Sequence, residues 1–449
     1  MRRLWSENEK HRLWRRIWVE LARAEEAAGL VSAEQRAALE AAANNTDEGR
    51  LAAIEAEIQH DLMAAVRAFA EQAPPGGPII HLGATSADIE DNADALRIRQ
   101  AMHLIEARLA VLLHTLAGKA LDWCSIPVMG FTHLQPAEPT TAGYRMALHL
   151  QDLNLDYTNL RRERLAVRGK GFKGAVGTAA SYNTLLAGTS LTAPELEARI
   201  MASLGLEAFP ITGQTYPRKQ DWRVISALAG LASSLSRLAY DLRLLQSPLS
   251  GELSEPFGAW QVGSSAMPFK RNPIASEKVD SLGRLVASFV DVAWQNATLS
   301  FLERTLDDSA NRREMFPVAF LAAEEMLITM ERVVRGLRFD QVAARRTFDR
   351  FSPFAATEPV LMAAVRAGAD RQAVHEHLRE LSMQAWAAVQ EGKSNPLPVL
   401  MQNSEALLKW LSPGEIARLS DPTSYLGTAP ERAREFALNI LAELDASEE

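Results

Sequence analysis

The segment Val224–Leu245, VISALAGLASSLSRLAYDLRLL, decides the fold of this chain. It contains no proline, and its apolar residues recur at alternating spacings of four and three. They are Val224, Leu228, Leu231, Leu235, Leu238, Leu242 and Leu245. This spacing places them along one narrow face of a helix. Because a long helix with such a narrow apolar face is not stable alone, the sequence predicts a helical bundle.

Two further proline-free stretches, residues 140–168 and 274–316, are each long enough for a helix of more than five turns. Patterns typical of strands are nearly absent. The flanks carry shorter helical patterns interrupted by glycine, proline and asparagine. We therefore predict an all-α fold of three helical domains, at residues 1–85, 86–339 and 340–449, with the long bundle in the middle.

The bulk composition narrows the class of protein. The chain has 449 residues, of which 47% are hydrophobic and 23% are charged, as in ordinary globular proteins. Its net charge of −8 argues against nucleic acid as a partner, because such binding needs a basic face. No run of ~20 apolar residues predicts a membrane span. The single cysteine, Cys124, favours a cytoplasmic location.

The stretch Gly263–Pro273, GSSAMPFKRNP, concentrates chemistry between two apolar runs. It holds two hydroxyls, two cations and an amide, and its glycine and prolines oppose a continuous helix. We expect a mobile polar loop that closes over an anionic group. Composition alone equally allows an ordinary solvated loop.

Four other segments place polar residues within apolar patterns: His60-Asp61, and residues 81–86, 132–141 and 303–313. The last carries three arginines, with Arg304, Ser309 and Arg313 spaced to present donors to a phosphate. Each segment also has a purely structural interpretation. The run of charges is typical of a solvated helix face, and a lone histidine is usually a packing residue.

Thr85 and Ser86 are good helix caps, with Asp88 and Glu90 in the first turn of the helix that follows. His133 lies between two proline-containing segments and precedes the long helix predicted from residue 140.

Together these residue types suit removal of a proton beside a carboxylate, followed by loss of a group from the next carbon. Lys270, Asn272 and loop N–H groups could stabilise the charge that develops. His133 titrates in the range required of an acid for the leaving group. A serine can act as the base only if nearby donors and cations stabilise its alkoxide.

The loop Gly263–Pro273 resembles the signature of the fumarase/aspartase superfamily, whose members eliminate fumarate from a succinyl group. Within it, the chain most resembles the adenylosuccinate lyases. The resemblance covers nearly the whole chain. It is carried by HLGATS at 81–86, FTHLQPA at 131–137, ITGQTYPRK at 211–219, ERTLDDSANRR at 303–313 and DPTSYLG at 421–427.

The resemblance implies a carbon–nitrogen lyase that needs no cofactor or metal. Its small-molecule nucleotide substrates would be adenylosuccinate, giving AMP, and succinylated aminoimidazole carboxamide ribotide (SAICAR), giving AICAR, both in purine biosynthesis. The family also implies a homotetramer formed by the central bundles, with active sites shared between three chains.

The resemblance further implies residue roles. Ser264 would be the base, with its neighbour Ser265 the weaker candidate, and His133 the acid. Glu277 would hold the His133 imidazole, and Lys270 would face the carboxylate charge. The implied substrate-binding residues are His60, Asp61, His81, Thr85, Ser86, Thr132, Gln214, Ser265, Met267, Asn272, Lys278, Arg304, Ser309 and Arg313. Of these, Thr85, Ser86, Thr132 and Gln214 would lie at the succinyl end. Arg304, Ser309 and Arg313 would bind the phosphate and ribose.

The chain departs from the family pattern at three positions. Gln59 and Lys278 stand where relatives carry arginine, and the Arg-Tyr pair usual before the first helix cannot be placed on Arg3-Leu4. Because neither side chain offers arginine's planar fork, phosphate binding should be affected more than elimination. Two alternatives therefore remain: another fumarate-releasing lyase, such as one acting on argininosuccinate, or a catalytically silent helical scaffold.

Overall fold

The computed structural model describes residues 1–448, with side chains through residue 446. Its first helices are α1 (Glu7–Ala27), α2 (Ala33–Ala42), α3 (Glu48–Ile58), α4 (Asp61–Gln72) and α5 (Ser86–Asp122). Next come β1 (Pro127–Thr132), β2 (Gln135–Thr141), α6 (Ala142–Leu165), α7 (Ala180–Leu185), α8 (Ala193–Leu204), α9 (Lys219–Gln246), β3 (Leu253–Ser254), α10 (Ile274–Thr298) and α11 (Asp307–Arg335).

The remaining elements are short apart from α14 and α18. They are β4 (Arg338–Phe339), α12 (Gln341–Phe351), α13 (Thr357–Arg366), α14 (Arg371–Gln390), α15 (Leu397–Gln402), α16 (Glu405–Leu408), α17 (Pro413–Leu419) and α18 (Ala429–Glu448). Single 3₁₀ turns lie at Gly77–Ile79, Ser352–Ala356 and Pro422–Ser424. The all-α class is confirmed.

The long helices follow the predicted pattern in part. Helix α9 spans the Val224–Leu245 seam, and all seven seam residues are buried. The longest helix, α5 with 37 residues, was not singled out from the sequence. Buried side chains surround its first turns, residues 87–98, and follow one face only beyond residue 100, so the periodic signal is weak at the start of the helix. Helix α11 also continues through Pro317, which follows the buried Phe316.

The sequence carries almost no pattern typical of strands, but two short strands flank His133. Strands β1 and β2 form an antiparallel hairpin, with Met129 opposite Pro139. His133 and Leu134 form its two-residue turn with φ of 55° and 60°, as a type I′ turn requires. The prolines of β2 suggested a loop, but an edge strand tolerates proline, and both strands of a two-stranded sheet are edges.

The described chain forms two compact units. Unit 1 comprises Met1–Arg108, Asp156–Ser233 and Ser281–Met326, and its core includes the fully buried Trp18 and Phe69. Unit 2 comprises Leu109–Leu155, Ser234–Asp280 and Leu327–Glu449. It contains an apolar cluster built from α13–α17, with Val360, Leu378, Leu397, Met401, Leu407 and Ile416 at its centre.

The division into three domains stays a prediction. No helix within residues 1–448 is both long enough and apolar enough to cross a bilayer.

Candidate active site

Unit 1 contains a cavity of about 520 Å³. Its walls come from the start of α1, the α3–α4 junction, the first turns of α5 and α11, and the segment before α9. Seven of the substrate-binding residues predicted from the sequence line it: His60, Asp61, Ser86, Gln214, Arg304, Ser309 and Arg313. Residues that lie far apart in the sequence therefore meet at one place.

The α3–α4 junction presents His60 and Asp61 to this cavity. Gln59 ends α3 in the left-handed conformation, and His60 then caps α4, its Nδ1 accepting the Met63 N–H at 3.4 Å. Asp61 accepts the Leu62 N–H at 2.7 Å and binds the Arg313 guanidinium at 2.8 Å. Burial acts to raise the pKa of Asp61, but these two partners outweigh it and lower the pKa below its usual value.

The start of α11 presents a group of anion-binding side chains. Arg304 lies just before the helix and binds Asp308 at 2.7 Å, while Ser309 and Arg313 lie one turn apart near the N-terminus. Free N–H groups and the helix dipole favour an anion at such a position. The interpretation of 303–313 as donors for a phosphate stays a prediction; Arg313 is 60% exposed.

Gln214 is held against the same region by its backbone. Its N–H donates to the Glu303 carbonyl at 2.9 Å. A Cβ on the preceding Gly213 would lie 2.5 Å from that carbonyl oxygen, so only glycine allows the approach. The motifs at 211–219 and 303–313 thus form one structural piece of the cavity wall.

Beneath the cavity lies a network of buried ion pairs that sequence reasoning missed. Arg218 binds Asp91 at 3.1 Å and Asp308 at 2.5 Å. Arg312 binds Asp221 at 2.7 Å. Burial acts to lower the pKa of Arg312, but neighbouring carboxylates outweigh it and raise the pKa, so the side chain stays charged. These contacts fix the helices that carry the cavity residues.

Asp91, Arg218 and Arg312 of this network line the cavity, as does Gln59, which the sequence had marked as a departure from the family pattern. The other lining residues that were missed are Trp5, Glu7, Lys10, Trp14, Glu55, Glu90, Asp94, Arg97, Thr215, Leu306 and Phe316. Four of the lining residues on α5, at positions 86, 90, 94 and 97, are spaced so that they share one face of a helix. This spacing of polar residues could have predicted them from the sequence.

The first turn of α5 is closed by a carboxylate rather than by a hydroxyl. The Thr85 N–H donates to Asp88 at 3.1 Å, and Asp88 is fully buried in an ion pair with Lys170. Helix α5 begins at Ser86, where the sequence placed its start, but neither the Thr85 nor the Ser86 hydroxyl forms a capping hydrogen bond within the described residues. His81 lies outside the cavity lining, where its ring accepts the Trp18 indole N–H at 3.2 Å and burial lowers its pKa.

The 263–273 loop of unit 2 is largely exposed, and no helix or strand lies between Ser254 and Ile274 in the described chain. Ser264 Oγ accepts hydrogen bonds from the backbone N–H of Met267 at 3.1 Å and from that of Ala266 at 3.4 Å. Such donors stabilise negative charge on the oxygen, as a serine base requires. A Cβ on Gly263 would lie 2.1 Å from the Lys270 carbonyl oxygen, so glycine is needed where the two arms of the loop meet.

Both ends of this loop are anchored by side chains that were not predicted. Gln246 at the end of α9 binds the Arg271 carbonyl at 3.1 Å and the Glu255 N–H at 2.8 Å. The Glu255 carboxylate accepts the N–H groups of Ala275 and Ser276, which begin α10. The anchors fix the loop's base, and Asn272 ties its far arm to the Gly263 carbonyl at 3.4 Å.

The other predicted catalytic side chains also lie on exposed parts of unit 2. Thr132 and His133 occupy the β1–β2 turn. Glu277 lies 4.0 Å from Arg243, and among the described residues it forms no hydrogen bond with His133. Ser265, Met267, Lys270 and Lys278 are exposed as well.

Comparisons with known proteins place the chain in a family. A family model described as lyase matches residues 2–287, and one described as adenylosuccinate lyase C-terminus matches residues 353–436. The chain is 40% identical to the adenylosuccinate lyase of Saccharomyces cerevisiae, over 94% of this chain and 88% of that protein. It is 36% identical to that of Schizosaccharomyces pombe, over 97% and 91%.

A solved structure agrees with this placement. The crystal structure of a fumarate lyase from Mesorhizobium sp. BNC1 superposes with a TM-score of 0.85 at 25% identity, covering 97% of each chain. These similarities span both halves of the sequence, and the relatives match it over nearly their full length. The chain therefore belongs to the adenylosuccinate lyase family.

Proposed function

We propose that this lyase eliminates fumarate from adenylosuccinate, giving AMP, and from SAICAR, giving AICAR. The observation that carries the proposal is the near-full-length similarity to relatives that bear the name adenylosuccinate lyase. The cavity of unit 1 supports the proposal, because candidate phosphate donors and residues expected at the succinyl end line the same cavity.

In the proposed mechanism, Ser264 removes a proton from the succinyl carbon beside a carboxylate. The electron pair left on that carbon forms the double bond of fumarate as the C–N bond breaks. His133 donates a proton to the departing nitrogen. Ser264 Oγ accepts hydrogen bonds from two backbone N–H groups, which supports its role as base. Lys270 on the same loop would stabilise the negative charge that develops on the carboxylate.

We also propose that the active enzyme is a homotetramer with sites shared between three chains, located in the cytoplasm. Long helices of the described chain leave large apolar side chains uncovered, including Leu155 at 65% exposure, Leu165 at 68% and Trp294 at 50%. Such patches favour association. Glu277 and His133 also lie at exposed positions, which residues of other chains can reach. A mass measurement in solution should give four chains.

The function is tested by mixing purified protein with adenylosuccinate and following the purine absorbance together with fumarate release. We expect both to change in equal amounts. Turnover of argininosuccinate without turnover of adenylosuccinate would select the other lyase. An intact oligomer that turns over neither substrate would support the scaffold.

A further inference from the structure

Glu90 has no role in the mechanism above, yet it lines the cavity. It lies one helical turn beyond Ser86, and Asp94 and Arg97 follow on the same face of α5. Ser86 belongs to the expected succinyl end of the site. Arg313, which belongs to the expected phosphate and ribose end, lines the same cavity, and its charge acts on Glu90. Glu90 therefore faces the middle of the ligand, between its succinyl and phosphate ends, rather than bulk solvent or the protein core.

The acidic neighbours of Glu90 are all engaged by arginines. Asp91 is bound by Arg218 at 3.1 Å, Asp94 by Arg312 at 3.2 Å, and Asp61 by Arg313 at 2.8 Å. The Glu90 carboxyl itself forms no hydrogen bond or ion pair with the residues that the structure describes. A polar group left this way in a cavity is available to a ligand.

The charges around Glu90 set its protonation. Asp61 on α4 and Asp91 and Asp94 on α5 repel its negative form, while Arg313 on α11 attracts it. Burial and these carboxylates together raise the pKa of Glu90 to about 7. Hydrogen bonds donated by a ligand would favour the charged form, so a ligand with hydroxyl groups would remove the proton as it binds.

The chemistry of the substrate narrows what Glu90 can contact. Phosphate and succinyl carboxylates are anionic and would be repelled. The heterocycles of adenylosuccinate and SAICAR present different groups, whereas both substrates carry the same ribose. Its 2′- and 3′-hydroxyls are neighbouring donors that a single carboxylate can accept together.

We propose that Glu90 is a specificity-determining residue that accepts hydrogen bonds from the 2′- and 3′-hydroxyls of the substrate ribose. This role rests on the proposed function. It makes the enzyme selective for ribonucleotides: loss of one hydrogen bond to a charged acceptor reduces kcat/KM by about 10- to 100-fold.

The test compares kcat/KM for adenylosuccinate and for its 2′-deoxyribose analogue, in the wild-type enzyme and in Glu90→Ala. The wild type should prefer the ribose substrate by about 10- to 100-fold. Glu90→Ala should reduce this ratio to within about three-fold, mainly by losing activity on adenylosuccinate. Glu57→Ala, at an exposed carboxylate of α3 outside the cavity lining, should keep the wild-type ratio.

A second variant covers the case in which Glu90→Ala does not fold. Glu90→Gln keeps the size of the side chain and cannot become charged, so its ratio should be low and independent of pH. The wild-type ratio should instead fall as the pH drops below about 7. The role of Glu90 is overturned if the wild-type ratio of the two kcat/KM values is near one, or if this ratio is unchanged in both Glu90 variants. Either result leaves the proposed function standing. Absence of adenylosuccinate turnover by the wild type overturns the proposed function first.

Discussion

In the cavity of unit 1, Arg304 and Arg313 are held by Asp308 and Asp61, whereas Ser264 in unit 2 is held by backbone N–H groups of its own loop. The cavity rests on buried ion pairs such as Arg218–Asp91. The loop is exposed, and its order comes from tight turns and from anchors at its base. The comparison indicates that the binding groups are preformed, while the proposed base lies on a segment with little packing.

Such a division has a physical reason. Binding a charged nucleotide benefits from cations whose positions are fixed in advance, because ordering long side chains on binding lowers affinity. A loop that closes over the substrate must instead move, so it cannot be tied by many buried contacts. Substitutions in the two regions should therefore differ in what they change: stability and affinity in the cavity, rate in the loop.

The largest effect is expected for Ser264→Ala. Without the base, kcat should fall by at least ~10³-fold, while the melting temperature stays within a few degrees because Ser264 lies on a largely exposed loop. Steady-state kinetics and thermal unfolding check both parts. Ser265→Ala is the matched control, and a loss there as large as that in Ser264→Ala would contradict the assignment of the base.

The next largest effect is expected for Arg218→Ala. It would leave Asp91 and Asp308 buried without their shared partner, which should lower the free energy of unfolding by about 3–5 kcal/mol. Denaturant unfolding measures this value. Arg223→Ala removes an arginine that is 47% exposed and pairs with Glu163, so it should cost only about 0.5 kcal/mol. If both variants lose the same free energy of unfolding, the buried ion pairs contribute no more to stability than an exposed one.

A smaller effect on affinity is expected for Arg304→Ala. If Arg304 binds the phosphate, KM should rise about 10- to 100-fold with kcat within about two-fold of wild type. Arg345→Ala, at an exposed ion pair on α12, serves as the control and should leave both constants alone. A fall in kcat at unchanged KM would place Arg304 with the catalytic groups instead.

A pH-dependent effect on stability sharpens the account of buried charge. Glu25 is fully buried, its carboxyl oxygens have no hydrogen-bond partner among the described residues, and burial raises its pKa to about 9. The folded protein therefore binds a proton that the unfolded chain releases above its pKa of 4.5, so stability falls as the pH rises from about 4.5 to about 9.

Glu25→Gln should remove this dependence. Its stability relative to wild type should increase by up to about 1.4 kcal/mol for each pH unit in that range. Unfolding curves at pH 5 and pH 8 measure the difference. If the advantage of the glutamine variant shrinks toward high pH, Glu25 is not held neutral by burial.

The sequence predicted those features of the fold that depend on residues close together in the chain. The α9 seam was visible because its apolar residues repeat along one face, and the signature loop because glycine and prolines enclose unusual polar residues. The β1–β2 hairpin was missed because prolines on an edge strand resemble a loop. Helix α5 was missed because its first turns, residues 87–98, are buried around their circumference.

The candidate site divides in the same way. Its motifs were visible as polar residues within apolar patterns, and seven of the cavity residues were predicted from the family resemblance. The pairing of Arg218 with Asp91, 127 positions away, depends on tertiary packing that the spacing of charges does not reveal. The N–H groups that hold Ser264 depend on backbone conformation, which the residue types only make possible.

The central claim is that binding groups and the base belong to separately organised regions. Equilibrium titration of the Ser264→Ala variant with adenylosuccinate tests it most directly. We predict a dissociation constant within about three-fold of the wild-type KM, with no fumarate released during the titration. Loss of binding, or fumarate release at the wild-type rate, would contradict the claim.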